Sequence, residues 1–255
     1  LRGWNDIHTL LMECFKSRKV LAVELYAGVR EDEVINELKS LSPTLLINTR
    51  DLMKPENEIK EMTERFMTKD VLFGYVTNLS LKDYFDAGKL EVARKQVAAN
   101  DRVIVVGSGA AMIAQAEATL VYVDMARWEI QQRFRAHEVK ALGVDNREDA
   151  VSLQYKRGYF NDWRVLDKYK EGLFDKADFW LDTHIANDPR MIDRETFFKG
   201  IEETIKTPFR VVPFFDPAPW GGQWMKEVCG LNPEKENYGW CFDCVPEERI
   251  VFILR

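Results

Sequence analysis

Short apolar runs alternate along this chain with longer stretches in which apolar residues recur at helical spacing. The runs are Val20–Tyr26, Thr44–Thr49, Val71–Val76, Arg102–Val106, Thr119–Asp124, Asp178–Leu181 and Phe209–Phe215. They are nearly continuously apolar and mostly rich in Val, Ile and Leu, the pattern of strands covered on both faces. Helical spacing fills Asn5–Ser17, Glu31–Leu41, Pro55–Phe66, Leu81–Ala99, Ala126–His137 and Trp163–Leu173. Pro55 ahead of an acidic first turn is a helix-start signal. The alternation predicts an α/β fold: a mostly parallel, wound sheet with flanking helices.

The pattern changes after about Lys206. Between Pro208 and Pro246 stand six prolines, four tryptophan or tyrosine residues and the pair Gly221-Gly222. Proline removes ladder donors and breaks helices, so the regular winding cannot continue there. The reading is an α/β domain over 1–206, then a linker and the first strands of a β-rich unit over 207–255.

With 255 residues, 46% apolar and 31% charged, the chain can bury a large core. A net charge of −6 argues against nucleic-acid binding, which needs an extended basic face, while leaving room for a local basic pocket. No apolar run is long enough to span a bilayer and no secretory signal opens the sequence. Four cysteines are too few for a disulfide scaffold, so a reducing cytoplasm is expected.

Candidate chemistry begins at Arg102–Met112. A strand runs into Gly107, Ser108 and Gly109 and then into small residues that open a helix, which would bring backbone N–H groups to an anion. Asp124 ends the next strand where a dinucleotide fold places its ribose-binding acid, but Met112 replaces the third glycine. A tight turn built for close packing is the other reading. Arg127, Arg133 and Arg135 follow, with Lys156, Arg157 and Arg164 downstream. They could converge on phosphate oxygens through bidentate guanidinium geometry, or lie on a solvated face, with Glu129 and Arg133 paired at i,i+4.

Other signals point away from catalysis. The turn after the first strand reads YAGVREDEV, with one glycine, no lysine and three acids at Glu31–Glu33, so it lacks a phosphate loop. Conventional ATP-dependent phosphoryl transfer is not expected from it. Cys241 and Cys244, with Cys229 upstream, lack the further ligands of a closed zinc site and read as buried thiols. At the end of one predicted strand, Asp182 is a ligand-site candidate, and His184 reads as a hydrogen-bonded structural histidine.

Thr207–Val228 (TPFRVVPFFDPAPWGGQWMKEV) and Asn237–Glu248 (NYGWCFDCVPEE) resemble a segment of bacterial class I mannose-6-phosphate isomerases. VDMARWEIQQR, YKRGYFNDWRVLDKYK and DFWLDTH extend the resemblance through the N-terminal region. The resemblance implies a P-loop-kinase-like α/β domain without a phosphate loop, then a cupin barrel entered at Trp220-Gly221-Gly222. It implies interconversion of mannose 6-phosphate and fructose 6-phosphate, with zinc held by a Gln-x-His pair, a Glu and a further His. No Gln-x-His occurs here and no histidine follows His184. Zinc is therefore expected in the complete family protein and not in this chain, the barrel being absent or excised between Glu248 and Arg249. Three functions follow: part of a sugar-phosphate isomerase, a binding module for a phosphorylated sugar or nucleotide, or a catalytically inactive structural or homodimerising domain.

Overall fold

A computed structural model describes residues 1–70, 73–114, 117–213, 227–228, 230 and 242–246, with 209–213 and 242–246 described by their backbone. Helix α1 (Trp4–Ser17) leads into β1 (Val20–Leu25), α2 (Glu31–Lys39) and β2 (Leu45–Asn48). Next come α3 (Glu56–Met67), α4 (Ala87–Ala99), β3 (Val103–Gly107), α5 (Ala110–Ala114) and β4 (Thr119–Asp124). Then follow α6 (Arg127–Arg135), α7 (Val151–Arg157), α8 (Trp163–Glu171), β5 (Phe179–Asp182) and β6 (Arg190–Asp193).

These strands form one sheet in the order β2-β3-β1-β4-β5-β6. The first five are parallel and β6 is antiparallel. Every residue of β3 is buried, as are five of the six in β4, because helices flank the sheet and leave those strands no solvent face. The α/β class and the mostly parallel sheet predicted from the run pattern are what the chain adopts. Leu1 to Gly3 extend the sheet past β6: Leu1 N donates to Met191 O (2.8 Å), Met191 N to Leu1 O (3.1 Å) and Gly3 N to Pro189 O (2.8 Å).

Several elements depart from the sequence pattern. Leu81–Ala99 is not one helix. A 3₁₀ turn at Leu81–Tyr84 ends before Asp86, whose carboxylate accepts from Lys89 N (2.8 Å) and caps α4 as a new helix. Of the predicted strand Val71–Val76, residues 73–76 are not in a strand, and Phe73, Tyr75 and Val76 are exposed. Between α7 and α8, Gly158–Asp162 forms a π-turn, closed by Trp163 N donating to Gly158 O.

The chain divides into two compact units, Leu1–Arg194 and Glu195–Arg255. The sequence boundary at 206 falls just past α9 (Arg194–Ile205), most of which groups with the second unit. There β7 (Phe209–Pro213) pairs antiparallel with β8 (Phe242–Pro246), a short β-rich segment.

Candidate functional site

The connection leaving β1 runs to β2, whereas those leaving β3 and β4 run the other way across the sheet. Such a reversal opens a crevice at the carboxyl ends of the strands. Tyr26–Gly28 and Glu31 line it after β1, Asn48–Arg50 and Met53 after β2, and Gly107 and Ser108 after β3. Lys140, Ala141 and Leu142 close it from above, with Leu166 from α8. The cleft measures about 380 Å³ including its open mouth, and it is narrow throughout, with room for little more than a water-sized group.

Its polar groups are held in place. Arg50 forms a bidentate pair with Glu31 (Nε to Oε2 3.0 Å, Nη2 to Oε1 2.9 Å) and also donates to Ala141 O (3.2 Å). Asn48 Oδ1 accepts from Arg50 N (3.0 Å), fixing the turn that carries the arginine. Lys140 Nζ stands 3.9 Å from Asp145, too far for a hydrogen bond. Thr49 is buried, and its Oγ1 has no hydrogen-bond partner among the described residues. Thr49 presses on Gly107, where φ is 122° and a Cβ would overlap that hydroxyl, so only glycine leaves the cleft open there.

The glycine turn itself is already occupied. Gly109 N (2.5 Å) and Ala111 N (3.0 Å) both donate to the carboxyl group of Glu24, near the end of β1. Burial drives the Glu24 pKa up to about 8 against the lowering pull of these amides. Ser108 Oγ donates to Leu25 O (2.8 Å). Gly107 and Ser108 therefore line the cleft with backbone and a committed hydroxyl, while the amides of Gly109 and Ala111 face an internal acid. Glu24 was visible in the sequence as the lone charge inside VLAVEL.

The predicted basic residues do not converge. Arg127 donates to the Tyr26 hydroxyl and to Asp167 (2.5 Å), and lies 4.4 Å from the Trp163 ring centroid. Arg133 is almost fully buried, giving its Nη atoms to Gly28 O (2.7 Å), Thr183 O (2.9 Å) and His184 O (3.1 Å) and its Nε to Glu129 (2.8 Å). It ties the β1 turn to the β5 turn, and the predicted i,i+4 pair with Glu129 is present. Burial lowers the pKa of Arg135, and Arg164 donates to Tyr159 O (3.0 Å).

Asp124 and Asp182 are register partners at the ends of β4 and β5. Asp124 accepts from Lys170 (2.5 Å), whose Nζ also sits within 5.4–5.8 Å of the ring centroids of Tyr26, Tyr122, Phe174 and Trp180. Asp182 accepts from both the backbone N–H (2.8 Å) and Nδ1 of His184, whose Nε2 accepts from Ala126 N (3.0 Å). Burial raises the Asp182 pKa, but the bonds from His184 outweigh it and the net shift is downward. His184 thus serves as a hydrogen-bonded brace.

Lys156 and Arg157 lie elsewhere, on α7. Lys156 Nζ donates to Asp70 O (2.5 Å). Arg157 donates to Thr63 Oγ1 (3.2 Å), and its Nε lies 3.5 Å from Asp162 in a buried ion pair. Asp162 Oδ2 accepts from Leu142 N (3.1 Å) in the cleft wall. Arg157 Nε and Nη2, Asp162 Oδ1 and the nearby Tyr84 Oη are buried without hydrogen-bond partners among the described residues.

Among the described residues there is no group of three or more His, Cys, Asp or Glu able to hold a metal ion. The Trp220–Gly222 motif, Cys229 and Cys241 lie outside the described residues, as does the Glu248–Arg249 junction, and only the backbone of Cys244 is described. No helix among the described residues is long and apolar enough to cross a membrane. Residues 3–206 match a family described as a domain of unknown function. No curated protein matches the chain.

Proposed function

Because the chain belongs to that family, DUF8485, its activity must be read from the site, and we propose that the α/β unit binds a phosphorylated small molecule in the cleft above β1, β2 and β3. One observation carries this reading: a lysine, an arginine held by Glu31, and a threonine whose buried hydroxyl has no partner among the described residues line one crevice at the carboxyl ends of parallel strands. Lys140 would neutralise the phosphate, Arg50 would add its charge by exchanging its bidentate contact with Glu31 for the ligand, and Thr49 Oγ1 would donate to one of its oxygens. The glycine turn plays no part, because Glu24 holds its amides. Nor does any lysine-bearing phosphate loop follow β1, which favours binding over phosphoryl transfer.

The resemblance of Thr207–Val228 and Asn237–Glu248 to class I mannose-6-phosphate isomerases supports placing this unit in a cytoplasmic sugar-phosphate isomerase-like protein. The zinc chemistry would then belong to a barrel outside the described residues, and no step of it is derived from these side chains. A non-catalytic structural or homodimerising role is the second reading, favoured by the internal acid that fills the glycine turn.

Calorimetry and thermal-shift titration of the chain with inorganic phosphate, glucose 6-phosphate and AMP test the binding reading. Lys140→Gln should weaken binding roughly tenfold or more, the value of one charge-assisted hydrogen bond. Arg50→Gln should weaken it further. Absence of any shift at millimolar ligand, or unchanged affinity in both variants, refutes the reading and leaves the structural role.

A further inference from the structure

We infer that the cleft takes a phosphate dianion, the end group of a phosphomonoester, and that Glu31 is the internal anion it displaces. The inference rests on the binding reading above and names the class of its ligand. Glu31 opens α2 and lines the cleft. Both its carboxylate oxygens accept from Arg50, at 3.0 Å from Nε and 2.9 Å from Nη2. A guanidinium grips two phosphate oxygens by the same fork. The Glu31 carboxylate thus stands where two oxygens of the ligand would bind.

The cleft has room for little more than a water-sized group, so a phosphate enters by replacing the carboxylate rather than by sitting beside it. Arg50 is the fixed partner: Asn48 Oδ1 accepts from its backbone N–H (3.0 Å), and Ala141 O accepts from its Nη2 (3.2 Å). Glu31 is the one that moves. Its side chain is 31% exposed, and its carboxylate's hydrogen bonds among the described residues all come from Arg50. Swung outward, it stays at the first turn of α2, where the helix dipole favours a negative charge.

Charge sets the class of ligand. A carboxylate or a phosphodiester carries one negative charge and would only repeat on Arg50 what Glu31 supplies. Lys140 is a second cation, and the acid beside it is engaged elsewhere. That acid, Asp145, accepts from Arg147 Nε (2.9 Å) and Nη2 (2.7 Å), with Lys140 Nζ 3.9 Å away. A dianion matches both cations of the cleft. Its third oxygen meets Thr49 Oγ1, which is buried and has no partner among the described residues.

Calorimetry of the full chain at about pH 7.5 tests this with methyl phosphate, a dianion there, and dimethyl phosphate, a monoanion. The unaltered protein should bind methyl phosphate at least about tenfold more tightly, and Lys140→Gln should bring the two together. Glu31→Gln should tighten both ligands by about tenfold or more, because it removes a competitor tethered beside the site. Glu31→Asp, whose carboxylate falls short of Arg50, should tighten both as well and carries the test if Glu31→Gln does not fold. A glutamate that merely positions Arg50 gives the opposite sign, binding weakening when it is replaced. Three results overturn the inference while the binding reading stands: equal binding of the two ligands by the unaltered protein, a ratio that Lys140→Gln leaves unchanged, or affinity unchanged or weakened in the folded Glu31 variant. Binding of neither ligand by any of these proteins overturns both.

Discussion

Replacing Glu24 with glutamine gives the sharpest test of how the glycine turn is built. Glu24 is wholly buried, its carboxyl group accepts from Gly109 N and Ala111 N, and its pKa rises from an ordinary 4.5 to about 8. Between those values the folded chain holds the proton and the unfolded chain has lost it. The folded state thus binds about one more proton, and stability falls as pH rises, by about 1.4 kcal/mol per pH unit. Across the window the loss is on the order of 5 kcal/mol, fully expressed above pH 8. Urea unfolding of the protein and of Glu24→Gln, followed by tryptophan fluorescence at pH 5, 6, 7 and 8, isolates this term, because other titrating groups cancel in the difference. The stability of the unaltered protein relative to the variant should fall steadily over the series. Parallel curves would mean that the amides hold Glu24 ionised throughout, and the account of the turn as a buried, protonated contact would be wrong.

Two further substitutions test the framework around the cleft. Gly107→Ala should cost roughly 2–4 kcal/mol in urea unfolding, because φ of 122° disfavours any side chain and the new methyl overlaps Thr49 Oγ1; a loss under 1 kcal/mol would show that Thr49 moves aside freely. Arg133→Met should cost roughly 3–5 kcal/mol, since it strips partners from Glu129 and from the carbonyls of Gly28, Thr183 and His184; a near-neutral result would mean that water replaces the guanidinium.

The central strands were legible because burial on both faces leaves an unbroken apolar run, as in VIVVG of β3 and TLVYVD of β4. Val71–Val76 shows the limit of that signal. The same composition there includes an exposed segment, with Tyr75 N bonded to Phe66 O instead of to a strand. Helix α7 escaped notice because it buries Gln154, Lys156 and Arg157, which breaks the apolar period. Strand β6 escaped because four residues at a sheet edge carry little pattern. The arginines were legible as residues but not as roles: spacing on a helix does not say that Arg133 faces carbonyls while Arg127 stacks on Trp163. The cleft was hardest to foresee. Thr49, Arg50, Lys140 and Leu142 come from separate turns with no fixed spacing, and only the winding of the sheet gathers them.

The first three residues have a consequence for how this molecule behaves at high concentration. A sheet rim with free N–H and C=O groups is a template on which another chain can add a strand and seed aggregation. By pairing with Pro189 and Met191, Leu1 and Gly3 seal the rim at β6 from within the same chain. The opposite rim, β2, is only four residues long, which offers little length for an intruder to grip.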